Sequence, residues 1–224
     1  MAIGKFYALT EGTIPWPFDP SDGLDSKTLN LHVADLGTLT ITSGFVLAGD
    51  PLVDVVFEPQ FPIAPGEYPI KVTVADFSEQ QDGSNLRNAY LSLILRQGDT
   101  ATVEFARPKD CAVADEDSSS IDVGAGLVSF TDPLHYQRYM PPVDDGVAWT
   151  DIFFDSGPES WSNIIDSEEH YPKGMANILL PAAKKGENII LVYTPWGNGV
   201  YPVVVTRDSQ GQPLGLHIDM KAWD

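Results

Sequence analysis

GEYPIKVT (66–73) and GVYPVVVT (199–206) are nearly the same eight residues written twice, 133 positions apart (199 − 66). Each copy reads as a turn that runs into a strand. The glycine permits a turn conformation closed to other residues. The Tyr-Pro pair forces Tyr68 and Tyr201 into extended geometry, and proline is tolerated as the first residue of a strand. The tails Ile-Lys-Val-Thr and Val-Val-Val-Thr are strong strand sequence. A match of eight positions, five of them identical, without matching flanks gives little support to a duplication, so the unit is read as a strand starter.

Beyond the two copies, most periodic stretches alternate with period two or are short β-branched runs. They predict strands near 29–33, 39–47, 53–57, 68–74, 89–95, 101–105, 188–193, 201–206 and 214–220. Turn signals at 97–99 (QGD), 185–187 (KGE) and 208–211 (DSQG) read as hairpin connections between neighbouring antiparallel strands. Helical signals are few. The stretch 160–170 places Trp161, Ile164 and Ile165 at i, i+3 and i+4 before Pro172 stops it, and 133–139 is a second short candidate. The expected fold is mainly β (β-rich α+β), with antiparallel sheets or a sandwich and one or two short helices. No composition break divides the chain, so a single domain over 1–224 is expected, with a Pro-rich loop at about 13–24.

Of the 224 residues 43% are hydrophobic and 20% charged, an ordinary globular balance. The N-terminus has no basic patch followed by an apolar run, so a signal peptide is not expected. No apolar stretch approaches the ~20 residues that span a bilayer. Cys111 is the one cysteine, which excludes an internal disulfide and a cysteine-based zinc cluster. These features favour the cytoplasm. Thirteen Lys and Arg against 32 Asp and Glu give a net charge of −19. Such a surface disfavours nucleic acid and anionic membranes, which both select cations. A basic protein partner is the natural counterpart, because opposite potentials speed encounter.

Further glycine, proline and aspartate signals stand beside the two copies: SGFVLAGDP (43–51), FPIAP (61–65), IDVGAGLVSFTD (121–132) and WGNG (196–199). In order, they resemble a bacterial family carried only under a domain-of-unknown-function label. Its pattern runs SG-x-aliphatic-x-x-x-DP, PPGxYPV, VDxGxxxFxD and GWGDGxYP. The resemblance covers roughly 39–219 and implies a fold and shared positions but no activity. Pro195 stands where that pattern has Gly, and Asn198 where it has Asp. Were that Asp a catalytic acid or a metal ligand, this chain would have lost it.

Asp50, Asp122 and Asp132 are the weak catalytic candidates, as converging carboxylates for acid/base work or as oxygen ligands for Ca²⁺ or Mg²⁺. Each also reads as a turn cap: Asp50-Pro51 ends a strand, and Asp132-Pro133 resembles a helix N-terminus with proline at the first position. His32, His135, His170 and His217 show no ligand spacing, no G-x-S-x-G elbow occurs, and no DxDxDG loop is present. Cys111 would need a nearby histidine to act as a nucleophile, and its neighbours Asp110 and Asp115 are acidic instead. No metal and no cofactor is expected.

From 110 to 170 there are fourteen Asp and Glu and one basic residue, Arg138. Aromatic residues interleave them. The binding candidates are Asp115, Glu116, Asp117, Asp144, Asp145, Trp149, Asp151 and Asp155, joined by Trp196, Asn198 and Tyr201 before and within the second copy. A carboxylate field with aromatic anchors suits a basic protein, with charge as steering and aromatics as hot spots. The leading expectation is therefore a non-enzymatic acidic binding protein, in its sharpest form an immunity-type inhibitor of a basic toxin or nuclease. The alternatives are a hydrolase or carbohydrate-binding protein built on Asp122, Asp132 and the Trp196–Tyr201 loop, and a structural domain whose acidity serves solubility alone.

Overall fold

Both copies of the octapeptide open a strand in the computed structural model, which describes residues 5–17, 27–52, 58–141, 151–155, 157–169 and 171–223. In chain order the strands are β1 (Gly12–Pro15), β2 (Thr28–Ile41), β3 (Phe45–Gly49), β4 (Gln60–Pro62), β5 (Gly66–Asp76), β6 (Leu86–Ile94) and β7 (Thr102–Phe105). They continue with β8 (Ser120–Val123), β9 (Leu127–Thr131), β10 (Met175–Leu179), β11 (Asn188–Tyr193), β12 (Gly199–Arg207) and β13 (Pro213–Asp219). The short α-helices are α1 (Glu116–Ser119), α2 (Pro133–Tyr139) and α3 (Trp161–Asp166).

Every strand pair is antiparallel. The larger sheet has the order β1-β2-β5-β6-β13-β12-β7, with β8 also paired to β12, and the smaller runs β10-β11-β9-β3-β4. Period-two alternation makes the sandwich. Leu91 and Leu93 of β6 join Val203, Ile218, Val46, Phe130 and Ile190 in the core between the sheets. Tyr90, the neighbour of Leu91 on the same strand, packs on the opposite face with Phe6, Ala222 and Trp223. The outer face of the smaller sheet is covered by Tyr136, Phe153, Trp161 and Ile165 from the helical segments.

The strand registers reveal a two-fold repeat. Ile41 pairs with Gly66 and Leu39 with Tyr68; Val123 pairs with Gly199 and Ile121 with Tyr201. The same register thus recurs with one strand shifted by 82 positions (123 − 41) and the other by 133 (199 − 66). In the smaller sheet Leu47 pairs with Thr131 and Gly49 with Ser129, which the 82-residue shift exchanges about Ala48 opposite Phe130. In the larger sheet Ile94 pairs with Gly215 and Tyr90 with Asp219, exchanged by a shift of 125 (217 − 92) about Ser92 opposite His217. The end of β2 with β3, β5 and β6 therefore repeats as β8, β9, β12 and β13. The second unit carries 51 extra residues (133 − 82) between its Asp-Pro and its Gly-x-Tyr-Pro, and α3 and β10 lie in that stretch. Within 42–52 and 124–134 the identical pairs are Gly44/Gly126, Val46/Val128, Asp50/Asp132, Pro51/Pro133 and Leu52/Leu134.

Several expectations are corrected. The stretch 39–47 is not one strand, because the chain turns at 42–44 with Gly44 at φ +85°. The turn at 97–99 joins β6 to β7, which are not neighbours, since β13 and β12 lie between them. The helix expected over 160–170 closes at Asp166, where the backbone N–H of Ser167 bonds back to Ile164 O. The Pro-rich stretch from 13 begins inside β1, and 53–57 lies outside the described residues. Neither Gly66 nor Gly199 has a positive φ. Each glycine instead lies under the ring of the tyrosine two residues on. An added Cβ would sit 3.4 Å from the Tyr68 ring and 3.3 Å from the Tyr201 ring. Each tyrosine hydroxyl donates to the carbonyl four residues back, Tyr68 to Ala64 at 2.6 Å and Tyr201 to Gly197 at 2.8 Å.

Candidate functional site

The repeat explains the motif aspartates first. Asp50 ends β3 and is fully buried. One of its oxygens accepts the backbone N–H groups of Gly124 and Ala125 at 2.8 and 2.7 Å, and the other accepts that of Leu52 at 2.9 Å. Asp132 ends β9 and does the same in the opposite sense. Its Oδ2 accepts from Thr42 and Ser43 at 2.5 and 2.7 Å, and its Oδ1 caps α2 through Leu134 and His135 at 2.7 and 3.2 Å. Each aspartate thus fastens the turn of the other unit. Burial pushes the Asp132 carboxyl up, but the N–H groups of Ser43, Thr42 and His135 outweigh it and hold the acid below its usual range.

Asp122 does not join them as a free pair. It is an exposed residue of β8, opposite Val200. Beside Asp50 and Asp122 stands a residue with no sequence signal, Glu58. Its carboxyl packs on Gly49, where an added Cβ would lie 2.5 Å from Glu58 Cδ. Burial, then the charges of Asp50 and Asp122, raise its pKa to about 7. Among the described residues no group of three His, Cys, Asp or Glu has the arrangement to hold a metal ion.

The histidines differ in setting. His217 is buried between two hydroxyls, Ser92 Oγ at 2.8 Å and Thr206 Oγ1 at 3.0 Å, and burial pushes its pKa down to about 3. Gly215 leaves space for that ring, since a Cβ there would meet His217 Nε2 at 2.8 Å. Ser92 is also fully buried, so the pair reads as a satisfied core histidine. His135 is buried with Nε2 2.7 Å from Thr42 Oγ1. His32 is exposed, and His170 lies outside the described residues. Cys111 Sγ lies 3.0 Å from Val113 O.

The acidic candidates occupy two places. Asp115 is the N-cap of α1, accepting from the backbone N–H of Ser118 at 2.8 Å, and its hydrogen bonds to Ser118 hold its pKa below the usual carboxylate value. Glu116 lies 3.4 Å from Lys221 Nζ, and Lys221 O accepts Trp196 Nε1–H at 3.0 Å. That chain of contacts sets α1 beside the Trp196 loop. Trp196 is 53% exposed, with the Arg87 guanidinium 5.0 Å over its ring, and Val200 is 50% exposed. Asp117, Asp122 and Asn198 are exposed along this β8–β12 edge. Tyr201 is only 3% exposed, so it shapes the loop instead of facing a partner. Asp151 lies in the π-helical turn Asp151–Asp155, on the opposite sheet, with Phe153 and α3. Asp144, Asp145, Trp149 and the side chain of Asp155 lie outside the described residues.

An antiparallel β-sandwich with an internal two-fold repeat is the class this geometry defines. The chain belongs to the family described as Protein of unknown function (DUF4241), whose model matches residues 39–218. That span holds both repeat units, from the end of β2 to all but the last residue of β13. No curated protein and no solved structure matches the chain. No described helix is long and apolar enough to cross a membrane.

Proposed function

We propose that this is a non-catalytic, cytoplasmic binding protein whose acidic β8–β12 edge engages a basic protein. The observation that carries the reading is the exposure of Trp196 and Val200 beside Glu116, Asp117 and Asp122. Exposed large apolar side chains with carboxylates beside them suit a partner of opposite sign, with the aromatic as anchor. The oxygens of Asp50 and Asp132 that the alternative hydrolase would need already accept backbone N–H groups. The net charge of −19 supplies long-range steering toward a cation-rich surface. An immunity-type inhibitor, whose carboxylates fill the cationic cleft of a toxin such as a nuclease, is the form of the reading we favour.

The test is capture from the source cell at low and moderate salt. It compares the wild type with the variant Glu116→Lys/Asp117→Lys/Asp122→Lys and with Trp196→Ala. The expected result is a basic protein retained by the wild type at low salt and lost by both variants. Retention of the same proteins by all three would overturn the reading.

A further inference from the structure

The edges of a sheet present unpaired backbone groups, and proteins blunt them with proline, charge or short length. Four of the edge strands here are blunted in that way. β1 carries Pro15, β4 is three residues ending in Pro62, β7 carries Glu104, and β8 is four residues containing Asp122. The other edge of the smaller sheet is β10, Met-Ala-Asn-Ile-Leu, which has neither proline nor charge. Among the described residues it pairs with β11 alone, on one side. Leu180 N–H donates to Glu187 O and Tyr193 N–H to Gly174 O, so the even-numbered residues face β11. The alternation of an antiparallel ladder then turns the backbone N–H and C=O of Asn177 and Leu179 away from β11. No described residue bonds to those groups.

A groove runs beside this edge, with Asn177 and Leu179 in its lining. Trp161, Ile164 and Tyr171 supply apolar surface, and Leu179 is 62% exposed. The charged lining residues are Glu159 and Glu169, with no lysine, arginine or histidine among the described lining. The surrounding sequence reinforces the sign. Between Arg138 and Lys173 the chain has eight Asp and Glu and no Lys or Arg.

We infer that the β10 edge accepts an extended, cationic segment of a partner protein by strand addition. The main chain pairs with Asn177 and Leu179, apolar side chains enter the groove, and lysine or arginine side chains reach Glu159 and Glu169. This deepens the acidic-partner reading by assigning a second contact and a backbone conformation to the partner, and it rests on that reading for the partner's charge.

The probe is an end-capped peptide of alternating valine and lysine. Its control is the same peptide N-methylated on alternate amides, which keeps the charge and removes the pairing donors. Leu179→Pro in the full chain deletes one outward N–H while leaving the bonds to β11 intact, as proline is tolerated on an edge. Wild type should bind the probe at least about tenfold more tightly than the control, and Leu179→Pro should abolish that difference. Amide exchange at Asn177 and Leu179 should slow when the probe is bound, and this readout decides the matter if Leu179→Pro does not fold. Equal affinity for probe and control, or unprotected amides at both positions, would overturn the inference. The acidic-partner reading is scored separately by capture with the Glu116, Asp117 and Asp122 variant. Retention of the same basic proteins by that variant and the wild type sinks that reading, whereas a partner retained equally by wild type and Leu179→Pro sinks only the strand-edge proposal.

Discussion

Asp132→Asn separates a helix cap from a clasp between repeat units. Were the residue only the N-cap of α2, asparagine would serve about as well as aspartate. The second oxygen changes the outcome, because it accepts the N–H groups of Thr42 and Ser43 across the sheet. In the asparagine variant one amide position faces two N–H donors with a donor of its own. Two charge-assisted bonds of roughly 1.5–3 kcal/mol each are lost, which predicts destabilisation of about 3–6 kcal/mol against a typical total of about 5–15. Urea denaturation followed by tryptophan fluorescence measures it, with the m-value as a check on two-state behaviour. Asp50→Asn should fall in the same range, since Asp50 Oδ2 accepts from Gly124 and Ala125. A loss below about 1 kcal/mol in Asp132→Asn would refute the clasp and return the residue to a simple cap.

The Asp132 carboxyl is held below its usual range, so its contribution should be present above the unfolded pKa and fade as pH falls through the lower folded one, visible as acid unfolding that Asp132→Asn blunts. Glu58 has the opposite sign: raised to about 7, it contributes stability that is full below its unfolded pKa and is lost as pH rises through about 7, and Glu58→Gln should remove that decline from a stability-versus-pH curve. Tyr68→Phe and Tyr201→Phe should each cost about 0.5–1.5 kcal/mol in denaturation midpoint through the lost hydroxyl bond to the carbonyl four residues back. Gly215→Ala should cost about 1–3 kcal/mol, because the added Cβ meets His217 Nε2 at 2.8 Å and Leu93 O at 3.1 Å.

The strands with clear β-branched alternation were legible in the sequence. β11 spans 188–193 as expected, and β5, β6, β12 and β13 differ from their expected limits by a few residues at most. Asp132-Pro133 marks the start of α2 as its cap chemistry predicts. The duplication was hidden by the insertion. The Asp-Pro blocks repeat at a shift of 82 and the Gly-x-Tyr-Pro blocks at 133, so no single shift aligns both. β9 was missed because its five residues are all buried and do not alternate, and β10 because its five residues do not alternate either. The glycine of each copy misled for another reason, since a glycine packed under a ring and a glycine at positive φ leave the same letter. Glu58 carried no pattern at all, because its environment is assembled by β3 and β8 from far along the chain.

Association kinetics with the captured basic protein test the functional account most directly. The wild type should associate about 10- to 1,000-fold faster than a neutral surface would allow, with a rate that falls steeply as salt rises. Asp115 is left in place because it caps α1. Reversing Glu116, Asp117 and Asp122 to lysine should then slow association while the folding midpoint hardly moves, and Trp196→Ala should instead speed dissociation. Association rates for the reversed variant that equal the wild type at every salt concentration would contradict the account.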